Sequence, residues 1–317
     1  MNLLFITASR IGDAVLTTGL LDRLVAENPG ARVTLACGAI AIGIFDAAPA
    51  VVRRIPLVKQ PFARHWLGLW RRVAGTRWDL VVDLRGSLLA YLLAARRRRV
   101  YRSEGGDSHR LAALARRLGY DPPPPPRLWT TAAHAAAAAA LIPAGGPVLA
   151  LAPTANWAGK IWPAARFVAL AERLTGPGAA LAGARIAVFG AAAERAIAAP
   201  VLAGIAPARR LDLVGRTDLP TAAATLARAA LFVGNDSGLM HIAAATGVPT
   251  VGLFGPSRPE HYGPVGPRTA VVRTAIPYDK LFPPGYDHGT TGTLMESLSV
   301  AAVERAAVAL LGTAAAA

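Results

Sequence analysis

Apolar residues in this chain come in short, unbroken runs, and helical segments separate the runs. In the first half the runs are LLFITA (3–8), RVTLACG (32–38), RRIPLV (53–58), DLVVDL (79–84) and RVYR (99–102), with helical stretches including 13–27, 62–74 and 86–97. A second round follows: VLALAP (148–153), RIAVFG (185–190), RLDLVG (210–215), LFVGND (231–236) and TVGLFG (250–255), separated by helical stretches at 163–175, 192–203 and 220–229. Runs without clean polar alternation predict strands covered on both faces, as in parallel sheets packed between helices. Between the rounds lie the stiff run Pro122–Pro126, a helical stretch at 130–141 and the breaker Pro143-Ala144-Gly145-Gly146-Pro147. The pattern predicts an α/β protein of two doubly wound domains, residues 1–143 and 147–296. Segment 299–312 reads as one amphipathic helix within a terminal segment, 297–317. In such folds the ligand lies at strand carboxyl ends, in a cleft.

That rule directs attention to the polar residues that end the runs. The richest case is 231–255, where Leu231–Val233 gives way to Asn235-Asp236-Ser237-Gly238 and then to an Ala-rich helix. The free N–H groups of a helix start favour an anion such as phosphate. His241 falls one turn into that helix, on the face of Asp236 and Ser237. The plainer reading is that Asp236 or Ser237 only caps the helix. The first run of the second half ends in Thr154 and reaches Lys160, one of three lysines against 31 arginines. Lys160 precedes a Pro-started helix, a good place to bind phosphate, although such a loop lysine also suits plain surface. Glu194, after the next run, is either a favourable charge in a first helical turn or an acceptor for a base or ribose.

The first run of the chain ends in Thr7-Ala8-Ser9-Arg10-Ile11-Gly12-Asp13. This is not G-x-G-x-x-G, so a nicotinamide cofactor has no support. Gly12 permits a tight turn. Asp13 projects from the helix start, as a dipole-favoured charge or as a general base.

Composition narrows the partners. The net charge is +15, with +11 in residues 1–146 and +4 in 147–317, so the first half faces something anionic. Segment 53–77 holds seven basic residues, including Arg64, Arg71 and Arg72, and no acid. Phe62, Trp66, Leu69, Trp70 and Val73 fall on one helical face within it. It reads either as a helix packed on the sheet with a solvated basic face, or as a surface for anionic lipid with tryptophan at the interface. No nucleic-acid module accompanies the charge. The six histidines lack ligand spacing, so no metal site is expected. The single cysteine, Cys37, excludes an intramolecular disulfide and fits a reducing compartment. The apolar start, Leu3–Ile6, is too short for a secretory leader. The charge-free stretch Leu128–Gly159 is broken by Pro143, Gly145-Gly146 and Pro147, and reads as helix, linker and strand rather than a membrane span.

Taken together, SRIGDAVLTTGLL (9–21), DLVVDLRG (79–86), Lys160-Ile161-Trp162-Pro163, FGAAAER (189–195) and above all GNDSGLMHIAAATGVPTVGLFGP (234–256) resemble glycosyltransferase family 9, the bacterial lipopolysaccharide heptosyltransferases. The resemblance covers nearly the whole chain. It implies the GT-B architecture of two Rossmann-like domains with an inter-domain cleft, and a C-terminal helix returning toward the N-terminal domain. It implies inverting, metal-independent transfer of heptose from ADP-L-glycero-D-manno-heptose to a lipid-linked, anionic lipopolysaccharide core, on the cytoplasmic face of the inner membrane and peripheral to it. Carried over by position, Asp13 matches the general base and Lys160 the lysine on the donor phosphates. Gly12, Thr154, Glu194, Asp236, Ser237, Gly238 and His241 match donor-binding positions, and no cofactor is implied. Where the family often has Cys before Met-Glu, this chain has Leu294 before Met295-Glu296. Another nucleotide sugar, another surface glycan as acceptor, or a non-catalytic nucleotide-sugar or anionic-glycan binding role are the competing readings.

Overall fold

A computed structural model describes residues 1–102, 106–287 and 289–312. His288 and the end of the predicted terminal segment, 313–317, lie outside the described residues. The chain forms two compact units, residues 1–129 and 130–317.

The first unit carries a parallel sheet of β1 (Asn2–Ile6), β2 (Arg32–Gly38), β3 (Val51–Leu57), β4 (Trp78–Asp83) and β5 (Ala95–Val100) in the order β3-β2-β1-β4-β5. Its helices are α1 (Ile11–Ala26), α2 (Arg64–Val73) and α3 (Arg110–Leu118). The core is the expected apolar one: Leu4, Ile6, Ala36, Val81, Leu69 and Val73 are buried together. Cys37 sits inside this unit on β2, and burial pushes its thiol up to about 12. Two expectations change here. Residues 86–97 are not a helix: a 3-10 turn covers Leu88–Leu92 and β5 already starts at Ala95. Arg96–Arg99 therefore belong to an edge strand, whose charges discourage pairing with another chain. Arg98 donates to the carbonyls of Ala90 (2.9 Å) and Leu93 (2.5 Å), tying the 3-10 turn to the strand. Helix α3, which follows β5, was not foreseen.

The second unit contains α4 (Ala132–Leu141), β6 (Val148–Ala152), α5 (Ala164–Thr175), β7 (Arg185–Val188), α6 (Arg195–Ala203), β8 (Arg210–Asp212), α7 (Leu219–Leu226), β9 (Leu231–Asn235), α8 (Gly238–Thr246), β10 (Thr250–Phe254), α9 (Pro259–Tyr262), β11 (Thr269–Arg273) and α10 (Val300–Gly312). Its sheet is parallel throughout, in the order β11-β10-β9-β6-β7-β8. The predicted boundary at 143–147 moves to 129/130, because α4 packs on α7 of the second unit. Strand β11 was not foreseen. Helix α10 packs on α5 and β11, with Val303 and Ala307 buried in the core of this unit.

Helix α7 shows how the loops are fixed. Asp218 caps it, accepting the Thr221 N–H at 2.8 Å. Burial works to raise the Asp218 carboxyl, but the bonds from Thr221 outweigh it and hold it below its ordinary value. Asp218→Ala is expected to cost about 1 kcal/mol of stability at neutral pH. A depressed carboxyl stabilises the fold above its unfolded pKa and loses that contribution as pH falls through its folded pKa. Thermal melts of the two proteins should therefore converge in acid.

Candidate active site

Each sheet has one place where the winding direction reverses. In the first it lies between β1 and β4, and in the second between β6 and β9. Loops diverge there and leave a crevice at the strand carboxyl ends. The candidate residues gather at these two places.

In the first unit the loop after β1 and the loop after β4 wall a cavity of about 290 Å³, near the lower limit for small-ligand pockets. Its lining includes Thr7, Arg10, Asp13, Arg85 and Arg110. Asp13 stands in the first turn of α1, with Thr17 one turn on, and the Thr17 and Thr7 hydroxyls are 2.8 Å apart. Gly12 is itself helical, so the tight turn assigned to it falls earlier, at Ser9-Arg10. Room for that turn comes from Gly38, where a Cβ would lie 2.3 Å from the Ser9 carbonyl oxygen.

Two arginines of this cavity were missed by sequence reasoning. Arg85 follows Asp83, a fully buried carboxylate at the end of β4. Asp83 accepts the backbone N–H groups of Arg85 (2.9 Å), Gly86 (3.1 Å) and Ser87 (2.8 Å), which folds the loop around it. Gly86 takes φ +70° there, a conformation that favours glycine. With Asp83 occupied by backbone, the Arg85 guanidinium lies over the Trp66 ring at 4.8 Å. Burial lowers its pKa from the ordinary arginine value, opposed by the nearby Asp83 charge. Arg110, at the start of α3, lies over Tyr101 at 4.6 Å. Ring stacking of this kind holds a guanidinium in place while leaving its N–H edge available. DLVVDLRG contained the first signal; nothing in the sequence around Arg110 carried the second. Arg64, Arg71 and Arg72 are exposed on α2 and do not line the cavity.

In the second unit the loops after β6 and β9 meet. Lys160 Nζ lies 2.5 Å from Asp236 Oδ2, with side chains 19% and 8% exposed. Trp162 N–H donates to Asn235 Oδ1 at 3.1 Å, a second tie between the same loops. Ser237 is at the N-cap position of α8, but its hydroxyl does not cap the helix. Ser237 Oγ and Asn235 Nδ2 are buried without a hydrogen-bond partner. Buried polar atoms are nearly always paired, so two orphans beside a helix start mark a place for a polar ligand. Gly238 opens α8, and His241, also buried, lies four residues after Ser237 on the same face. Thr154 and Glu194 form the neighbouring group. Glu194 Oε2 accepts the Thr154 hydroxyl and the Ala191 N–H, both at 2.8 Å.

The Lys160 turn is held from below by a segment that sequence reasoning left without a role. Leu294 N–H donates to the Gly159 carbonyl (3.0 Å), and Trp162 Nε1 donates to Leu298 O (2.9 Å). Met295 is fully buried against Gly255, where a Cβ would meet its sulfur at 2.5 Å. Beside the turn Trp157 stands edge-on to Tyr286 at 5.9 Å, and Phe282 and Tyr278 continue the row. Among the described residues no group of His, Cys, Asp and Glu is arranged to hold a metal.

Residues 98–282, more than half of the chain, match the model of glycosyltransferase family 9 (heptosyltransferase). The chain belongs to this family. Lipooligosaccharide heptosyltransferase 2 of Haemophilus influenzae is 32% identical over 131 residues, 40% of this chain and 36% of that protein. Lipopolysaccharide heptosyltransferase 1 of Pseudomonas aeruginosa is 39% identical over 122 residues, 38% of this chain and 32% of that protein. The matches thus span about a third of the length of these curated relatives. Among solved structures, the ADP-heptose lipopolysaccharide heptosyltransferase II of Escherichia coli superposes with a TM-score of 0.77 at 23% identity, covering 99% of this chain and 100% of that one. A family 9 glycosyl transferase of Veillonella parvula gives 0.80 at 21% identity, covering 98% and 97%. These likenesses establish the fold: two parallel-sheet α/β domains of the GT-B architecture.

Proposed function

We propose that this chain is an inverting, metal-independent glycosyltransferase that moves heptose from an ADP-heptose donor to the inner core of a lipopolysaccharide acceptor. The observation that carries the reading is the Lys160–Asp236 pair beside the orphaned Ser237 hydroxyl at the start of α8. A nucleoside diphosphate leaving group gains negative charge in the transition state. Lys160 and the free N–H groups of α8 offer fixed positive partners for it, the task a metal ion performs in other transferases. Thr154, Glu194, Gly238 and His241 complete the donor side in this reading.

Asp13 is the proposed general base. It accepts the proton of an acceptor hydroxyl as that oxygen bonds to the anomeric carbon. The bond from that carbon to the diphosphate oxygen breaks on the opposite face, its electron pair leaves with ADP, and the configuration inverts. Holding both substrates in one complex removes much of the entropic barrier. Arg85 and Arg110 share the cavity wall with Asp13, which suits an acceptor sugar bearing carboxylate or phosphate. Arg85→Ala is expected to raise the acceptor KM by about 10–100-fold, with little change in kcat, since a charge-assisted bond to bound acceptor is lost. Initial rates at varied acceptor concentration separate the two parameters. In this reading the reaction runs on the cytoplasmic face of the membrane, where a nucleotide-sugar donor meets a lipid-borne acceptor, with the enzyme peripheral. The relatives' heptosyltransferase names support this reading, and so does the family membership.

The test is acceptor-dependent ADP release from ADP-heptose, with heptose-deficient lipopolysaccharide and a chelator present. Release under these conditions supports donor, acceptor and metal independence together. Donor binding without release points to another acceptor, and absence of both overturns the donor assignment.

A further inference from the structure

Among the described residues, five large apolar side chains are more exposed than all others: Ile40 (67%), Val58 (62%), Phe62 (95%), Leu88 (80%) and Leu92 (70%). All belong to the first unit, and all follow the carboxyl end of a strand. Ile40 comes after β2, Val58 and Phe62 after β3, and Leu88 and Leu92 after β4. The strands are parallel, so these loops share one edge of the sheet. The Asp13 cavity opens among loops of the same edge.

The loops are built to present these residues. Phe62 and Ala63 both take left-handed backbone, φ 52° and 56°, which side-chain-bearing residues adopt only under constraint. That conformation ends β3's loop with Phe62 almost wholly in solvent, just before α2 begins. In the 3-10 turn after β4, Leu89, Ala90 and Leu93 are buried, while Leu88, Tyr91 and Leu92 face outward. Neither loop contains an acid: residues 58–77 and 84–102 hold none. The cations carried by the loops of this edge include Arg10, Lys59, Arg64 and Arg102, while Asp46, in the loop of Ile40, is paired with Arg54 at 3.1 Å. Asp83, the acid that ends β4, is buried and bonded to backbone.

We propose that this strand-end edge docks on an anionic lipid bilayer, with Phe62, Leu88, Leu92, Val58 and Ile40 entering the boundary between headgroups and acyl chains. Separate apolar tips ringed by cations match that boundary: apolar groups insert, and Lys and Arg meet lipid phosphates. A protein partner would more commonly be met by a contiguous apolar patch with charge kept to its rim. Docking in this way sets the mouth of the Asp13 cavity at the surface where a lipid-carried acceptor presents its sugars. The inference deepens the peripheral placement in the proposed function and rests on that reading for the acceptor; the exposed tips and the charges around them are observed apart from it.

The test is flotation of the purified full chain with vesicles of phosphatidylglycerol and phosphatidylethanolamine, against vesicles of phosphatidylcholine, at about 0.1 M salt. Wild type should float with the anionic vesicles only. A variant carrying Phe62→Ser, Leu88→Ser and Leu92→Ser should keep its melting temperature and its turnover of a water-soluble acceptor saccharide, yet lose about tenfold or more in vesicle partitioning. Lys59→Glu with Arg64→Glu should weaken binding as well. The proposal is overturned if wild type fails to float, or if the triple serine variant floats as wild type does. It is equally overturned if sedimentation shows a dimer that the serine variant dissolves, with no vesicle binding, since the edge would then join two copies. Absence of turnover with vesicle binding intact overturns the transferase reading and leaves the docking surface standing.

Discussion

Asp13→Ala is expected to lower kcat by about 10²–10⁴-fold and to leave the fold intact. Asp13 stands in the first turn of α1, partly exposed in the wall of the cavity, and fills no core position. As a carboxylate in a first helical turn it gains a few tenths of a kcal/mol from the positive helix end, a small part of the stability of the fold. Activity and stability therefore separate at this residue, which makes it diagnostic. The variant should bind donor as wild type does, melt at nearly the same temperature, and turn over slowly. The acid limb of the wild-type pH–rate profile should vanish in the variant, because the group that must be ionised to accept the proton is gone. Wild-type turnover in Asp13→Ala would remove the base assignment.

Lys160→Met is the second large effect, and here activity and stability fall together. Lys160 neutralises Asp236, whose side chain is 8% exposed. Removing the lysine leaves a carboxylate in poor contact with water, at a cost of up to about 3–5 kcal/mol for a well-buried pair and less here because Lys160 is partly exposed. It also removes a fixed charge from the proposed diphosphate site, for an expected loss of about 10²–10³-fold in kcat/KM for the donor. The double variant Lys160→Met with Asp236→Asn separates the two consequences. Stability should return, since no unpaired charge remains, while activity should stay low. Thermal melts and donor-saturation kinetics on the two single variants and the double one give the answer. Activity recovering with stability would mean that Lys160 serves the fold alone.

Much of the fold was legible because the chain repeats one physical device. Short apolar runs covered on both faces appear as β1, β2, β4, β6, β9 and β10 close to where their runs begin and end. The elements misplaced or missed had signals of another kind. Strand β5, Ala-Arg-Arg-Arg-Arg-Val, was read late, at 99–102, because its exposed edge positions carry charge and leave no apolar run at its start. Strand β11 follows a Gly- and Pro-rich stretch and pairs only with β10, again at an edge. Helix α4 was placed with the wrong unit because a proline-glycine breaker marks the end of a helix and says nothing of what that helix packs on. The face of Phe62, Trp66, Leu69, Trp70 and Val73 divides in the structure. Leu69 and Val73 enter the core, Trp66 lies under Arg85, and Phe62 is outside α2 altogether. A helical wheel cannot anticipate the left-handed residues that start the helix late.

The sequence by itself determined the class of fold, the polar residues at the ends of β1, β6 and β9, and their order along the chain, because strand–turn–helix chemistry is local. Only the tertiary structure decided which of these residues meet. Lys160 and Asp236 are 76 positions apart and become a pair because β6 and β9 are neighbours at the reversal of the sheet. Arg85 and Arg110 join the wall of the Asp13 cavity because β4 lies beside β1 and because Trp66 and Tyr101 supply the rings that hold them. Pairing of distant strands depends on packing of the whole sheet, and no local pattern of apolar and polar positions encodes it.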